Sequence, residues 1–253
     1  MINSTLIILA IIQSIAEFLP ISSSGHLIIA EKLLNIPSNL NLIASLHLGT
    51  LLAIILYFNK DIIKIAKDIL IIKDTKNSKL GLQIITAAIP AGIAGFLLKD
   101  VIKQLSNNLL ILALGFGITS LLLIISSINF KKHSNLNYKS SLLIGLSQVF
   151  AIFPGISRLG ATISTGILSG LKEKDALKFS FLLSIPITLG SIILSLDALS
   201  SSILLLAILS LIISLPMIHL IYTRVLINKQ NLRYFGVYLL LLAISIIIYQ
   251  ITN

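Results

Sequence analysis

The chain has 253 residues, of which 56% are hydrophobic and only 11% charged, with no cysteine and a formal net charge of +10; its mean hydropathy is +1.04. A soluble domain carries about 25% charged residues, so a water-facing surface cannot be built here. Disorder, a disulfide scaffold and a fibrous repeat are excluded as well, and at roughly 20 residues per span the length holds about six to eight membrane crossings.

The first apolar region, residues 2–34, is interrupted at 17–26 by Glu-Phe-Leu-Pro-Ile-Ser-Ser-Ser-Gly-His. Three uninterrupted stretches follow, 42–58, 81–98 and 109–130. A second region, 141–171, is then broken at 154–160 by Pro-Gly-Ile-Ser-Arg-Leu-Gly, and the stretches 176–196, 202–222 and 234–251 complete the chain. Lipid cannot satisfy broken backbone, so each interruption must be buried in protein or line a wet cavity. Both are read as re-entrant hairpins of two half-length helices. The expected fold is an all-α polytopic membrane protein, one integral membrane domain over 1–253, with six transmembrane helices and two re-entrant hairpins.

The two interruptions resemble one another. Pro20-x-x-Ser23 and Pro154-x-x-Ser157 are each followed by glycine (Gly25, Gly160) and preceded by glutamine (Gln13, Gln148). Three spans per unit is an odd number, so the second unit must enter the bilayer upside down. That is an inverted-topology repeat of approximately 1–130 and 141–253, and such repeats place a site near the midplane where they meet.

Charge gives the orientation. Of the 19 Lys and Arg residues, the 59–80 loop and segments 131–140, 172–178 and 223–233 hold six, three, three and three. The opposite side holds Lys32, Lys99 and Lys103, and Arg158 lies inside a hairpin. The positive-inside rule puts the four rich segments in the cytoplasm and both termini outside. It also accounts for the +10 without a nucleic-acid partner. The amino terminus lacks a basic region, and Glu17 and Pro20 interrupt its apolar run, so no cleavable signal peptide is expected.

Ionisable groups within the apolar body are few: Glu17, His26, His47, Arg158 and His219. Such groups are costly in a membrane and mark functional sites. Gln13 and Glu17, at i and i+4, share a helix face just before Pro20 stops the helix. Ser22, Ser23 and Ser24 occupy the break and His26 the next turn. The other hairpin supplies Ser157, Arg158 and Thr162. Both breaks open into helix amino-termini, whose free N–H groups and dipole favour an anion. An arginine fork beside them suits phosphate or diphosphate. The serines also suit plain N-capping, Arg158 also suits a buried pair with Glu17, and His47 and His219, without polar neighbours in sequence, are read as packing or interfacial residues.

Gln13-Ser-Ile-Ala-Glu17-Phe-Leu-Pro-Ile-Ser-Ser-Ser-Gly-His26 closely resembles the first signature of the bacterial undecaprenyl-diphosphate phosphatases, or bacitracin-resistance proteins. Pro154-Gly-Ile-Ser-Arg-Leu-Gly-Ala-Thr-Ile163 resembles their second, and Leu46-His-Leu-Gly-Thr-Leu-Leu-Ala53 a further family stretch. The resemblance covers essentially the whole chain. It implies an inner-membrane hydrolase, open to the periplasm, that converts undecaprenyl diphosphate to the monophosphate carrier and phosphate for peptidoglycan synthesis, with bacitracin resistance. It also implies a divalent cation, Mg2+ or Ca2+. The family's Glu/Gln-x-x-x-Glu pattern falls on Gln13 and Glu17, the candidate metal ligands. Its catalytic serine and histidine fall on Ser23 and His26, and its essential arginine on Arg158. Gln13 stands where some members carry Glu, and Leu159 where others carry Ser.

The expected catalytic set is therefore Glu17, Ser23, His26 and Arg158, with Ser22, Ser24, Ser157 and Thr162 binding substrate. In the preferred mechanism Ser23 attacks and His26 takes its proton; attack by His26 or by water remains open. The rival class is a transporter or flippase of a lipid-linked or anionic substrate, which inverted repeats also serve. A homo-oligomer is compatible with the sequence.

Overall fold

The computed structural model describes residues 4–36, 40–105, 108–128, 134–195 and 201–252. Among them the chain is all helical, without a strand. The elements are α1 (Ser4–Ala16), α2 (Ser23–Leu33), α3 (Leu40–Tyr57), α4 (Asn59–Leu70), α5 (Lys76–Leu97), α6 (Lys99–Leu105), α7 (Leu109–Ser127), α8 (Tyr138–Phe150), α9 (Arg158–Leu168), α10 (Glu173–Ser195), α11 (Ser201–Leu220) and α12 (Leu232–Thr252). A π turn over Ile221–Val225 extends α11.

Five segments are long and apolar enough to cross a membrane: α5, α7, α10, α11 with its π turn, and α12. The sixth expected stretch, 42–58, falls on α3, which joins them only together with α4, from which it is bent by 76°. The ends of the 109–130 and 176–196 stretches, and Lys131 and Lys132, lie outside the described residues.

The segment 59–80, expected as a loop, instead contains α4 and the first turn of α5. The apolar residues Ile62, Ile65 and Ile69 recur at helical spacing, and Ile65 and Ile69 pack on Gly81 of α5. The turn between them is clasped by the Asp68 carboxylate, which accepts from Thr75 Oγ1 at 2.6 Å and Asn77 Nδ2 at 2.9 Å. Thr75 and Ser78 then form a capping box on α5.

Both interrupted regions fold as two short helices, of 13 and 11 residues in each case. At 1.5 Å per residue neither member reaches much beyond about 20 Å, short of a hydrocarbon core of about 30 Å. In each region the two members pack against one another, α1 on α2 and α8 on α9. Around them α7 packs on α12, α3 on α11 and α10, and α5 on α8 and α10.

The distribution of polarity is inverted relative to a soluble protein. Gln13, Ser14, Ser120, Ser164, Ser210 and Ser214 are buried, while Leu121, Phe96, Ile193 and Leu241 are 60–66% exposed. Water would penalise such an outer face; lipid does not. Small residues let the helices approach closely. A Cβ at Gly49 would meet Ser210 Cβ at 2.6 Å, and one at Gly145 would meet Ala87 Cα at 2.7 Å. Hydroxyls join helices where they meet: Ser14 Oγ donates to Ser210 Oγ at 2.9 Å, and Ser120 Oγ to the Gly236 carbonyl at 2.7 Å. This is the packing chemistry of membrane helices.

Candidate active site

The first break follows from Pro20, which cannot continue α1. Ser22 then takes a left-handed conformation, φ 67°, and caps α2 by accepting the Gly25 N–H at 3.3 Å. A non-glycine residue at positive φ costs of order 1–3 kcal/mol and needs surrounding structure to hold it. The second break turns at Gly155, φ 87°, where only glycine fits easily. Ser157 caps α9 by accepting the Gly160 N–H at 3.0 Å. Its own N–H donates to Thr119 Oγ1 of α7 at 3.0 Å.

Glu17 lies where the two breaks meet. Its Oε1 accepts from Arg158 Nη2 in a buried ion pair. Its Oε2 accepts from Ser23 Oγ at 2.6 Å and from Gln13 Nε2 at 2.9 Å. The structure therefore gathers Gln13, Glu17, Ser23 and Arg158 from three helices and one break around a single carboxylate. The alternative of a buried Glu17–Arg158 pair is present as well. Only one of the five guanidinium N–H groups is engaged by it, so pairing and phosphate binding are not exclusive.

His47, read from sequence as a packing residue, belongs to this cluster: its Nε2 lies 3.7 Å from Glu17 Oε2. Its Nδ1 donates to the Ile43 carbonyl at 2.8 Å, which aims Nε2 at the carboxylate. The family-like stretch at 46–53 was the only signal of this in the sequence.

His26 and Ser23 are not paired. The Ser22 carbonyl, 2.9 Å from His26 Nδ1, can only accept, so that nitrogen carries the proton. In the neutral ring Nε2 then accepts from Tyr238 O–H at 2.7 Å. Tyr238 of α12 also stacks on the imidazole, ring centroids 5.7 Å apart, and Phe116 of α7 meets it edge-on at 5.6 Å. Tyr238 is the further residue that sequence reading missed; it lies 212 positions away.

The remaining candidates are placed as follows. Ser24 is exposed beside Ser22, their hydroxyls 3.3 Å apart. Ser22 and Ser157 use their side chains as caps. Thr162 is buried and donates to the Arg158 carbonyl at 2.9 Å, tying the residue that carries the guanidinium into its helix.

Gln13 Oε1 is buried without a hydrogen-bond partner, an orphaned hard-oxygen donor on the residue that flanks Glu17. Among the described residues no group of three or more His, Cys, Asp or Glu could enclose a metal. A Mg2+ ion held mostly by substrate phosphates and water needs only one protein carboxylate, which Glu17 could supply. Gln13 and Glu17 fit such an ion, and fit a closed structural site poorly.

Residues 6–245 match the model of the family described as bacitracin resistance protein BacA. The undecaprenyl-diphosphatase of Thermosipho africanus is 43% identical over 245 residues, covering 94% of this chain and 96% of that protein. That of Thermosipho melanesiensis is 46% identical over 197 residues, 77% and 78% of the two chains. That of Methanococcus vannielii is 33% identical over 248 residues, 96% and 98%. By the extent of the match and the motifs at both breaks, the chain belongs to the bacitracin resistance protein BacA family.

Proposed function

We propose that this protein is a membrane hydrolase that removes the terminal phosphate of undecaprenyl diphosphate, returning the monophosphate carrier to envelope polymer synthesis and conferring bacitracin resistance. The observation that carries the reading is the meeting of Glu17, Ser23 and Arg158 at two helix amino-termini. The relatives named undecaprenyl-diphosphatase, matched over nearly the whole chain, supply the substrate.

The diphosphate docks against Arg158 and the N–H groups that head α2 and α9. Positioning and charge stabilisation are the main demands of phosphoryl transfer. Ser23 Oγ attacks the terminal phosphorus, its proton passes to Glu17 Oε2, and the bond to the bridging oxygen breaks to release undecaprenyl phosphate. Water then attacks the phosphoserine phosphorus, the bond from phosphorus to Ser23 Oγ breaks, and Glu17 returns its proton to Oγ as inorganic phosphate leaves. Glu17 takes the base role first assigned to His26 because Ser23 already donates to it. His26 is a weaker nucleophile candidate, since its one lone pair accepts from Tyr238. Gln13 and Glu17 would hold a divalent cation, Mg2+ or Ca2+, which neutralises phosphate charge when bound. Arg158 is already balanced by Glu17, so the side chains alone leave little net positive charge for a diphosphate.

The finer architecture is part of the proposal: six spans, two re-entrant hairpins and an inverted repeat within one domain, 1–130 and 141–253. Part of the packing supports it, because exchanging the halves exchanges the following contacts, although α7–α9 and α9–α10 have no comparable counterpart among the described residues. The α1–α11 contact corresponds to α8–α5, and α3–α11 to α10–α5, while α7–α12 and α3–α10 map onto themselves. The protein sits in the cytoplasmic membrane with the site open to the periplasm and the lysine-rich segments inside.

Phosphate release from undecaprenyl diphosphate by the purified protein in detergent is the test. A transporter or flippase would release none. Acid-stable phosphoserine mapped to residue 23 supports the nucleophile; phosphohistidine at residue 26 overturns it.

A further inference from the structure

We infer that α4 is a docking surface for anionic phospholipid headgroups. Helix α3 ends at Tyr57, and α4 departs from it at 76°. With α3 as the span proposed above, on which this inference rests, a helix that departs at that angle lies close to the bilayer plane. After Asn59, whose side chain donates back to the Leu56 carbonyl, its other eleven residues divide into four strips by helical spacing. Ile62, Ile65 and Ile69 face the protein, and two of them touch Gly81. Beside them Ile63, Ala66 and Leu70 are exposed, Ile63 by 65% and Leu70 by 81%. The third strip is Lys60, Lys64 and Lys67, all exposed. The fourth is Asp61 and Asp68.

The acidic strip is occupied within the protein. Asp61 pairs with Lys178 of α10 at 2.7 Å, and Asp68 holds Thr75 and Asn77. None of the three lysines forms an ion pair among the described residues. A bare cationic strip therefore runs beside a bare apolar one. The apolar strip continues past the helix into Ile71 and Ile72, and Ile72 is 92% exposed in a left-handed conformation, φ 51°. A β-branched residue is a rare choice there, and its side chain finds no cover in the protein. An interfacial helix with its apolar strip in the acyl boundary and its lysines at the headgroups accounts for all four strips. The charge complement of three unpaired lysines is an anionic headgroup, each lysine favouring it by roughly fivefold, about 1 kcal/mol.

The chain contains no tryptophan, so Ile63→Trp creates a single reporter on the apolar strip, with Leu70→Trp as a second. Each is reconstituted in phosphatidylcholine vesicles containing equal mole fractions of brominated phosphatidylglycerol or brominated phosphatidylcholine. Brominated lipid of either kind is expected to quench the reporter, and the glycerol lipid about twofold more or better. Lys60, Lys64 and Lys67 changed together to Gln, or high salt, should abolish that difference. Monodispersity and parental phosphate release in detergent check the fold. Equal quenching by the two lipids overturns the anionic partner. Quenching by aqueous iodide instead of lipid removes α4 from the bilayer. Shielding from both puts protein on this face, and also overturns the proposal.

Discussion

Replacing Arg158 by lysine separates charge from shape. The arginine side chain is 19% exposed and gives one N–H to Glu17. Four N–H groups in a rigid plane remain for phosphoryl oxygens. Lysine keeps the positive charge, so the buried carboxylate stays neutralised and most of the fold energy is retained. Deleting the cation would be different, since an unpaired buried charge costs about 3–5 kcal/mol. After pairing with Glu17, however, a lysine retains two donors around one point and cannot span two oxygens. If the fork grips the transferring phosphoryl group, its contacts strengthen as charge develops. The kcat should then fall by about 10²–10³, roughly 3–4 kcal/mol, with a smaller rise in KM. The assay is phosphate release over a range of undecaprenyl diphosphate concentrations, on protein that elutes like the parent. An Arg158→Lys enzyme within about threefold of parental kcat would refute the clamp and leave Arg158 as a counter-ion.

Glu17→Gln removes the proton acceptor of Ser23 and turns an NH2 group toward a donor, so phosphate release should fall by at least about 10² while insertion is retained; near-parental turnover would take Glu17 out of the chemistry. Gly115→Ala should destabilise the protein by about 1–3 kcal/mol, as an added Cβ would overlap the Pro154 carbonyl and stand 2.9 Å from Gly155 Cα. Thermal unfolding in detergent measures this, and an unchanged midpoint would mean the second break can shift. Single cysteines in this Cys-free chain report sidedness. An impermeant thiol reagent in intact cells should label position 104 and spare position 76, and the reverse pattern would invert the topology.

The elements that carry the site were legible because they break a rule. Pro20 and Pro154 within apolar runs force short helices, and the structure has α1–α2 and α8–α9 at those positions. The gathering of Gln13, Glu17 and Ser23 followed from local spacing. The pairing of Ser23 with His26 did not, because side-chain direction on α2 depends on what surrounds it. Ser23 points back to Glu17, while the imidazole is drawn to the Ser22 carbonyl and to Tyr238. No periodicity could connect His26 with a tyrosine on the last helix. His47 was hidden for the same reason: its polar neighbour is tertiary. The helix α4 was overlooked because its charges read as loop, although Ile62, Ile65 and Ile69 kept helical spacing.

Two adjacent residues of α7 touch both breaks. Phe116 lies against Gly25 and His26 of the first, and Gly115 against Pro154 and Gly155 of the second. The helix works as a jig that fixes the two parts of the site to one backbone. It also imposes an order of assembly. Chains emerge from the amino terminus, so α7 exists before Pro154 has been made, and the second break is moulded on a surface already waiting for it. The clamp on His26 arrives later still, because Tyr238 belongs to α12. A partly synthesised chain thus presents an acid and a serine to the membrane before the arginine has been made, and gains the tyrosine that holds His26 only as the last helix is laid against α7.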